Sequence, residues 1–191
     1  TGLTDYYTQN PYGQEITITN VKAKTGYTYT GYTLSGSLTA LSGSTNTTIK
    51  TKLGAGSGAI ALNSKINSYT VTYDKNGGSS VSKASASVNY NSAIDLTPTA
   101  SKSGYEFIGW NTNKNATSEE YADQEIVSNL TSENGETITL YAIWKKTITI
   151  SYDANGGSGA PAAQTGILYN SQASVSIKLS DTKPTREGYT F

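Results

Sequence analysis

A six-residue stretch and its echo constrain this chain more than any other feature. Tyr73-Asp74-Lys75-Asn76-Gly77-Gly78 returns 79 residues later as Tyr152-Asp153-Ala154-Asn155-Gly156-Gly157. Self-similarity at one long period marks a run of equivalent modules, each burying its own core, and it outranks any reading of the chain as one domain. Other motifs keep step. Tyr90-Asn91-Ser92 and Tyr169-Asn170-Ser171 follow their turns at the same distance, and Tyr12-Gly13 is a reduced relative 78 residues before Tyr90. Gly26-Tyr27-Thr28-Tyr29-Thr30-Gly31-Tyr32 matches Gly104-Tyr105-Glu106-Phe107-Ile108-Gly109-Trp110. A third version starts at Gly188-Tyr189-Thr190-Phe191, after five additional residues of the kind that surface loops absorb. Ile138-Thr139-Leu140-Tyr141-Ala142-Ile143-Trp144 has a divergent relative at Ile60-Ala61-Leu62-Asn63-Ser64-Lys65-Ile66.

These matches divide the chain into a divergent, N-terminally incomplete repeat over residues 1–68, a complete repeat over 69–146 and a C-terminally truncated repeat over 147–191. The unit is about 78 residues. On this reading the sequence is a window cut from a longer array, with short junctions near Ser68 and Lys146.

Composition then narrows the chemistry. The chain has no His, no Cys and balanced charge, 14 basic against 14 acidic residues. Histidine general bases, thiol nucleophiles, disulfides and Cys/His zinc sites therefore have no residues to build on. No basic stripe offers a docking line for nucleic acid, and no apolar run is long enough to cross a bilayer. Thr and Ser make up 53 of the 191 residues and Tyr another 15, a polar, strand-favouring composition.

The local patterns agree. Tyr69, Val71 and Tyr73, and again Ile148, Ile150 and Tyr152, alternate with period two and end in Asp-x-Asn-Gly-Gly, which predicts a strand running into a tight turn and a plausible hairpin. Residues 136–144 alternate with two apolar-leaning faces, as a central strand covered on both sides would. Residues 118–130 are the one helix candidate, with Thr117 or Ser118 as N-cap, although a turn followed by a brief strand also fits. The expected class is mainly β or α+β, mostly antiparallel.

The ordered set Tyr73 to Gly78, Gly104 to Trp110 and Leu140 to Trp144 resembles the Listeria-Bacteroides repeat, the internalin B-repeat type. The match covers the second copy throughout and the available part of the third. The first is partial, with Tyr29, Tyr32 and Ile66 where Phe, Trp and Trp are expected. The resemblance implies small β-grasp-like modules strung in tandem in extracellular bacterial surface proteins, with no catalytic or cofactor residues to transfer.

The candidate residues read as structural. Asp74, Asn76, Gly77 and Gly78, with Asp153, Asn155, Gly156 and Gly157, are turn residues; they lack the further carboxylates of a calcium loop. Tyr73, Tyr105, Phe107, Trp110, Leu140, Trp144 and Tyr152 are expected in the core, since large aromatics must supply much of the buried area of so small a unit. The competing reading makes Trp110, Trp144, Tyr105 and Phe107 a platform for sugar rings, with Tyr6, Tyr7 and Tyr121 as further sugar contacts. Glu119, Glu120, Asp123 and Glu125 form the densest acidic group and read as a solvated face. A Lys-Asn cross-link in place of disulfides is a further option open to so Asn- and Lys-rich a chain.

The expected function is a non-enzymatic stalk or spacer of a bacterial cell-surface or secreted protein. Its expected partners are neighbouring repeats, with other copies of itself or host surface ligands as further possibilities, and no cofactor or metal. The alternatives are an adhesin module for glycans or host protein, and a subunit of a self-assembling extracellular fibre.

Overall fold

The computed structural model describes residues 12–170 and 172–191. All regular elements among them are strands. They form two compact units: one takes the described residues up to Thr70 with Ser87–Ile94 and Ser128–Thr137, the other takes Val71–Ala86, Asp95–Val127 and Ile138–Phe191.

In the first unit, β1 (Glu15–Thr19), β2 (Tyr27–Ala40) and β3 (Thr48–Ile66) make an antiparallel sheet in the order β1-β3-β2. Thr and Tyr alternate along the start of β2, so Tyr27 and Tyr29 face one way and Thr28 and Thr30 the other. Val21 and Ile49 are buried here, and the buried Thr51 hydroxyl donates to Thr39 O at 2.8 Å. The Gly- and Ser-rich stretch between residues 37 and 58 is non-helical, as its composition predicts; it continues the β2–β3 pairing.

The rest of the chain supplies β4 (Ser68–Asp74), β5 (Ser80–Val81), β6 (Ser85–Asn89), β7 (Ala93–Asp95), β8 (Ala100–Ser101), β9 (Glu106–Asn111), β10 (Ile126–Ser128), β11 (Thr137–Ile150) and β12 (Gln164–Tyr169). The main sheet runs β12-β11-β4-β6, with β9 also paired to β11. Two small sheets, β5-β8 and β10-β7, complete the set. The expectation for residues 136–144 holds: β11 is central, and Leu140, Ala142, Ile143 and Trp144 are all buried, so side chains from both faces are covered.

The helix candidate at residues 118–130 is not a helix. Tyr121 bridges to Trp110, with Trp110 N donating to Tyr121 O at 2.8 Å, and residues 126–128 form β10. Gln124 adopts a positive φ of 62° and donates its N–H to Leu96 O. Pairing with Trp110 and Leu96 thus uses the backbone groups that a helix would have needed internally. The turn-then-strand alternative describes this segment.

The repeats are visible in the backbone. A bulge interrupts β2 at Gly31 (φ 134°), and its counterpart 78 residues on interrupts the β9–β11 pairing at Gly109 (φ 139°). Side chains rarely adopt such angles, which explains a glycine at both places. Asn76 and Gly77 (φ 46° and 76°) are matched by Asn155 and Gly156 (47° and 80°), and Gly26, Gly104 and Gly188 sit at 78°, 73° and 74°. Residues 1–68 thus share two of these angles, at Gly26 and Gly31.

Candidate functional site: the aromatic core and its turn

The second copy brings its aromatic residues together. Tyr73 on β4 meets Trp110 on β9 edge-on, with ring centroids 5.1 Å apart, and Phe107 contacts Trp110 at 5.1 Å and Trp144 at 5.5 Å. Trp110 and Trp144 are 0% and 1% exposed, and Tyr73 and Leu140 are buried as well. Tyr105, Phe107 and Tyr152 are half-buried. A ring with no free face cannot stack on a sugar, so neither tryptophan can serve as a platform in this conformation. Of the other tyrosines named for sugar contact, Tyr121 is half-buried, and Tyr6 and Tyr7 lie outside the described residues.

The turn is fastened to this core. Asp74 Oδ1 accepts from Asn76 N at 2.7 Å, and Asp153 repeats the bond to Asn155 N at the same distance. Gly78 N donates to Lys75 O, and Gly157 N to Ala154 O, closing both turns. Two central residues at positive φ are what a type I′ turn needs. The Asn76 carboxamide then donates to Ala142 O at 2.9 Å and Lys114 O at 2.8 Å, and Trp144 Nε1 donates to Lys75 O at 3.0 Å. Asp74 and Asn76 therefore have bonding partners inside the protein, which accounts for both residues without an ion.

The hairpin is wider than the turn alone would make it: the chain returns to β4 as β6, with Tyr73 N donating to Ala84 O at 2.9 Å. Before that return the chain leaving Gly78 makes a detour, in which Ser79 N donates to Ser101 O and β5 pairs with β8. A Cβ on Gly78 would lie 2.6 Å from Ser101 O and 2.8 Å from the Trp144 ring, so this close passage steers the chain to β8. The third copy has the same corner, with Ser158 N donating to Thr185 O at 2.8 Å.

The sequence reading missed one recurring feature. Lys24, Lys102 and Arg186 each stand three residues before a tyrosine, and in all three copies that tyrosine N–H donates to the cation's own carbonyl at 3.0–3.1 Å. Lys102 Nζ lies 4.2 Å from the Tyr105 centroid and Arg186 Cζ 4.4 Å from that of Tyr189, both cation–π contacts. Burial lowers the Lys102 ammonium below the usual lysine range. The repeated Lys/Arg-x-Gly-Tyr spacing was available in the sequence.

The acidic group serves its own loop. Glu120 accepts from Thr112 Oγ1 at 2.7 Å and Thr112 N at 3.2 Å, and the hydroxyl bond is the main cause of its lowered pKa. Glu125 accepts from Ala122 N at 2.7 Å. Tyr121 is pushed up to about 12, by burial first and then by Glu120. Among the described residues no group of three or more His, Cys, Asp or Glu could hold a metal ion.

The family model of the Listeria-Bacteroides repeat domain matches residues 69–143 and again 149–191. Two proteins of Evansella cellulosilytica are similar. One, provisionally named a Gly-rich membrane protein, is 31% identical over 128 residues, 66% of this chain and 13% of its own length. The other, provisionally named a membrane protein, is 39% identical over 95 residues, 49% of this chain and 13% of its own length. This chain thus spans about an eighth of the curated relatives it matches. No solved structure matches it at a significant level. With the family pattern covering more than half of its residues in two successive copies, the chain belongs to the Listeria-Bacteroides repeat family.

Proposed function

We propose that this chain is a length of stalk: a non-enzymatic tandem-repeat spacer of a bacterial cell-surface or secreted protein. The observation that carries this reading is the course of β11. It begins in the second copy, where it pairs with β9 through Tyr141–Lys145, and runs without a break through Lys146 into the third copy, where it pairs with β12 through Ile150. Lys145 is paired on both sides, to Glu106 and to Tyr169. A hydrogen-bonded strand thus stands where a flexible linker would otherwise join two domains, which suits a part that must hold distance. The membrane-protein names of two much longer relatives favour a surface location for the whole protein. No helix among the described residues is long and apolar enough to cross a membrane.

Small-angle scattering on arrays lengthened by one repeat at a time tests this. A maximum dimension that grows in proportion to repeat number is expected; growth with roughly the 0.4 power of length, as for a globule, would contradict it. The adhesin alternative needs exposed aromatics shared by the copies, and burial of Trp110 and Trp144 counts against it. A folded array that selects defined sugars on a glycan array would favour that alternative.

A further inference from the structure

Three polar side chains among the described residues are buried: Thr51, Asn67 and Asn170. Thr51 bonds within its own sheet, whereas both asparagines stand where one copy meets the next. Asn170 belongs to the third copy, yet its partners lie in the second. Its N–H donates to Trp144 O at 2.9 Å, and its side-chain Oδ1 accepts from Trp144 N at 3.1 Å. Its Nδ2 donates to Ala116 O, and its main-chain carbonyl accepts from Lys102 Nζ at 2.5 Å. At 4% exposure, every polar group of this residue is matched by the preceding copy.

The other seam is closed differently. The residue equivalent to Asn170 is Asn91, which shares its positive φ but is exposed and bonds to Asn129 of its own copy. Here Asn67, the last residue but one of the first copy, is buried instead. Its Oδ1 accepts from Thr28 Oγ1 at 2.5 Å within the first copy, and its Nδ2 donates to Ser132 O of the second at 2.7 Å. Asn67 O accepts from Tyr90 N, also of the second copy.

We infer that a single buried asparagine latches each pair of consecutive repeats, Asn67 at the first seam and Asn170 at the second, and that the surface it closes takes the next repeat as its partner. This deepens the spacer reading and rests on it. A carboxamide suits the task because it donates and accepts at once, so it satisfies a strand N–H and a loop carbonyl that water cannot reach. Left unpaired, those groups carry a desolvation penalty, so the two repeats are held in one register. Because the latch occupies non-equivalent positions, each seam recognises its own neighbour.

Hydrogen exchange on the whole 191-residue chain tests the latch. Asn170→Gly keeps the positive φ and removes the carboxamide. It is expected to speed exchange of the Trp144 amide and of Gln164–Tyr169 by about tenfold or more, with Tyr73 and Trp110 still protected. Asn170→Asp retains the acceptor for Trp144 N and loses the donor, so a smaller effect is expected. Asn67→Ala is expected to expose Tyr90 and Gly135 while sparing Gln164–Tyr169, and Asn91→Gly to change little. Wild-type exchange in Asn170→Gly would reduce the residue to a turn former and overturn the inference. Equal loss at Tyr73 and at Gln164–Tyr169 would show one undivided core with no latch, and would overturn it as well. The spacer reading stands or falls separately, on how array length scales.

Discussion

Trp144 Nε1 donates to Lys75 O at 3.0 Å, so the last strand of the second copy holds the turn that opens it. Trp110 packs against the same cluster, but its Nε1 is buried and has no hydrogen-bond partner among the described residues. The two tryptophans therefore respond differently to the same substitution. Trp144→Phe loses ring volume and one of the two bonds to the Lys75 carbonyl, which keeps that from Gly78 N, a cost of roughly 2–4 kcal/mol. Trp110→Phe loses similar volume but removes an unsatisfied donor, and roughly 1–2 kcal/mol is expected. Urea unfolding of the two variants checks the order; equal losses would contradict the role given to the indole bond.

The turn glycines separate strain from contact. Gly77 has φ 76° and open space around it apart from the Lys102 ammonium at 3.8 Å, so Gly77→Ala is expected to cost about 1–2 kcal/mol through backbone strain alone. Gly78 has no such angle, yet its Cβ would press on the Ser101 carbonyl and the Trp144 ring. Gly78→Ala is expected to cost roughly 2–4 kcal/mol, because a backbone carbonyl and a packed ring cannot both yield. Denaturant midpoints measured side by side decide between the two.

What the sequence disclosed follows from range. The repeat, the Asn-Gly turn and the alternation of β11 are properties of a few neighbouring residues, and these were legible. The route after Gly78 was not, because it is set by Ser101 and Trp144, far along the chain. Residues 118–130 carried real helix-start chemistry in Glu119 and Glu120, but pairing to Trp110 and Leu96 overrode it. Asn170 stood out only as a member of the recurring Tyr-Asn-Ser motif; its approach to Trp144, 26 positions away, is what gives its carboxamide a use. Ser171, the last member of that motif, lies outside the described residues.

Alkaline titration probes the loop that replaced the helix candidate. Tyr121 holds its proton to about pH 12, against about 10 in an unfolded chain. A raised tyrosine pKa gives stability that is complete below pH 10 and lost as pH climbs toward 12. Tyrosinate absorbance is expected to show a late component near pH 12 that disappears in Tyr121→Phe. Glu120 acts in the opposite sense. Its pKa is lowered, so its contribution is present above the unfolded value and lost as pH falls through the depressed one, and Glu120→Gln is expected to flatten the acid limb.

The Lys-Asn cross-link has a concrete candidate pair in Lys102 and Asn170. Lys102 Nζ bonds the main-chain carbonyl of Asn170, and the side-chain amide is engaged by Trp144 and Ala116. Contact through the carbonyl is an ordinary charged hydrogen bond that needs no covalent step. The intact mass is therefore expected to equal that of the unmodified chain; loss of one ammonia mapping to this pair would contradict the assignment.

One strand, β11, carries the chain from the second repeat into the third. Residue-resolved hydrogen exchange along β11 measures this most directly. Protection is expected to continue through Lys145, Lys146, Thr147 and Ile148 at the level of the flanking strand, wherever an N–H is paired to β9 or β12. A fast-exchanging break at Lys146, with protected segments on either side, would mean independent domains on a hinge and would contradict the account.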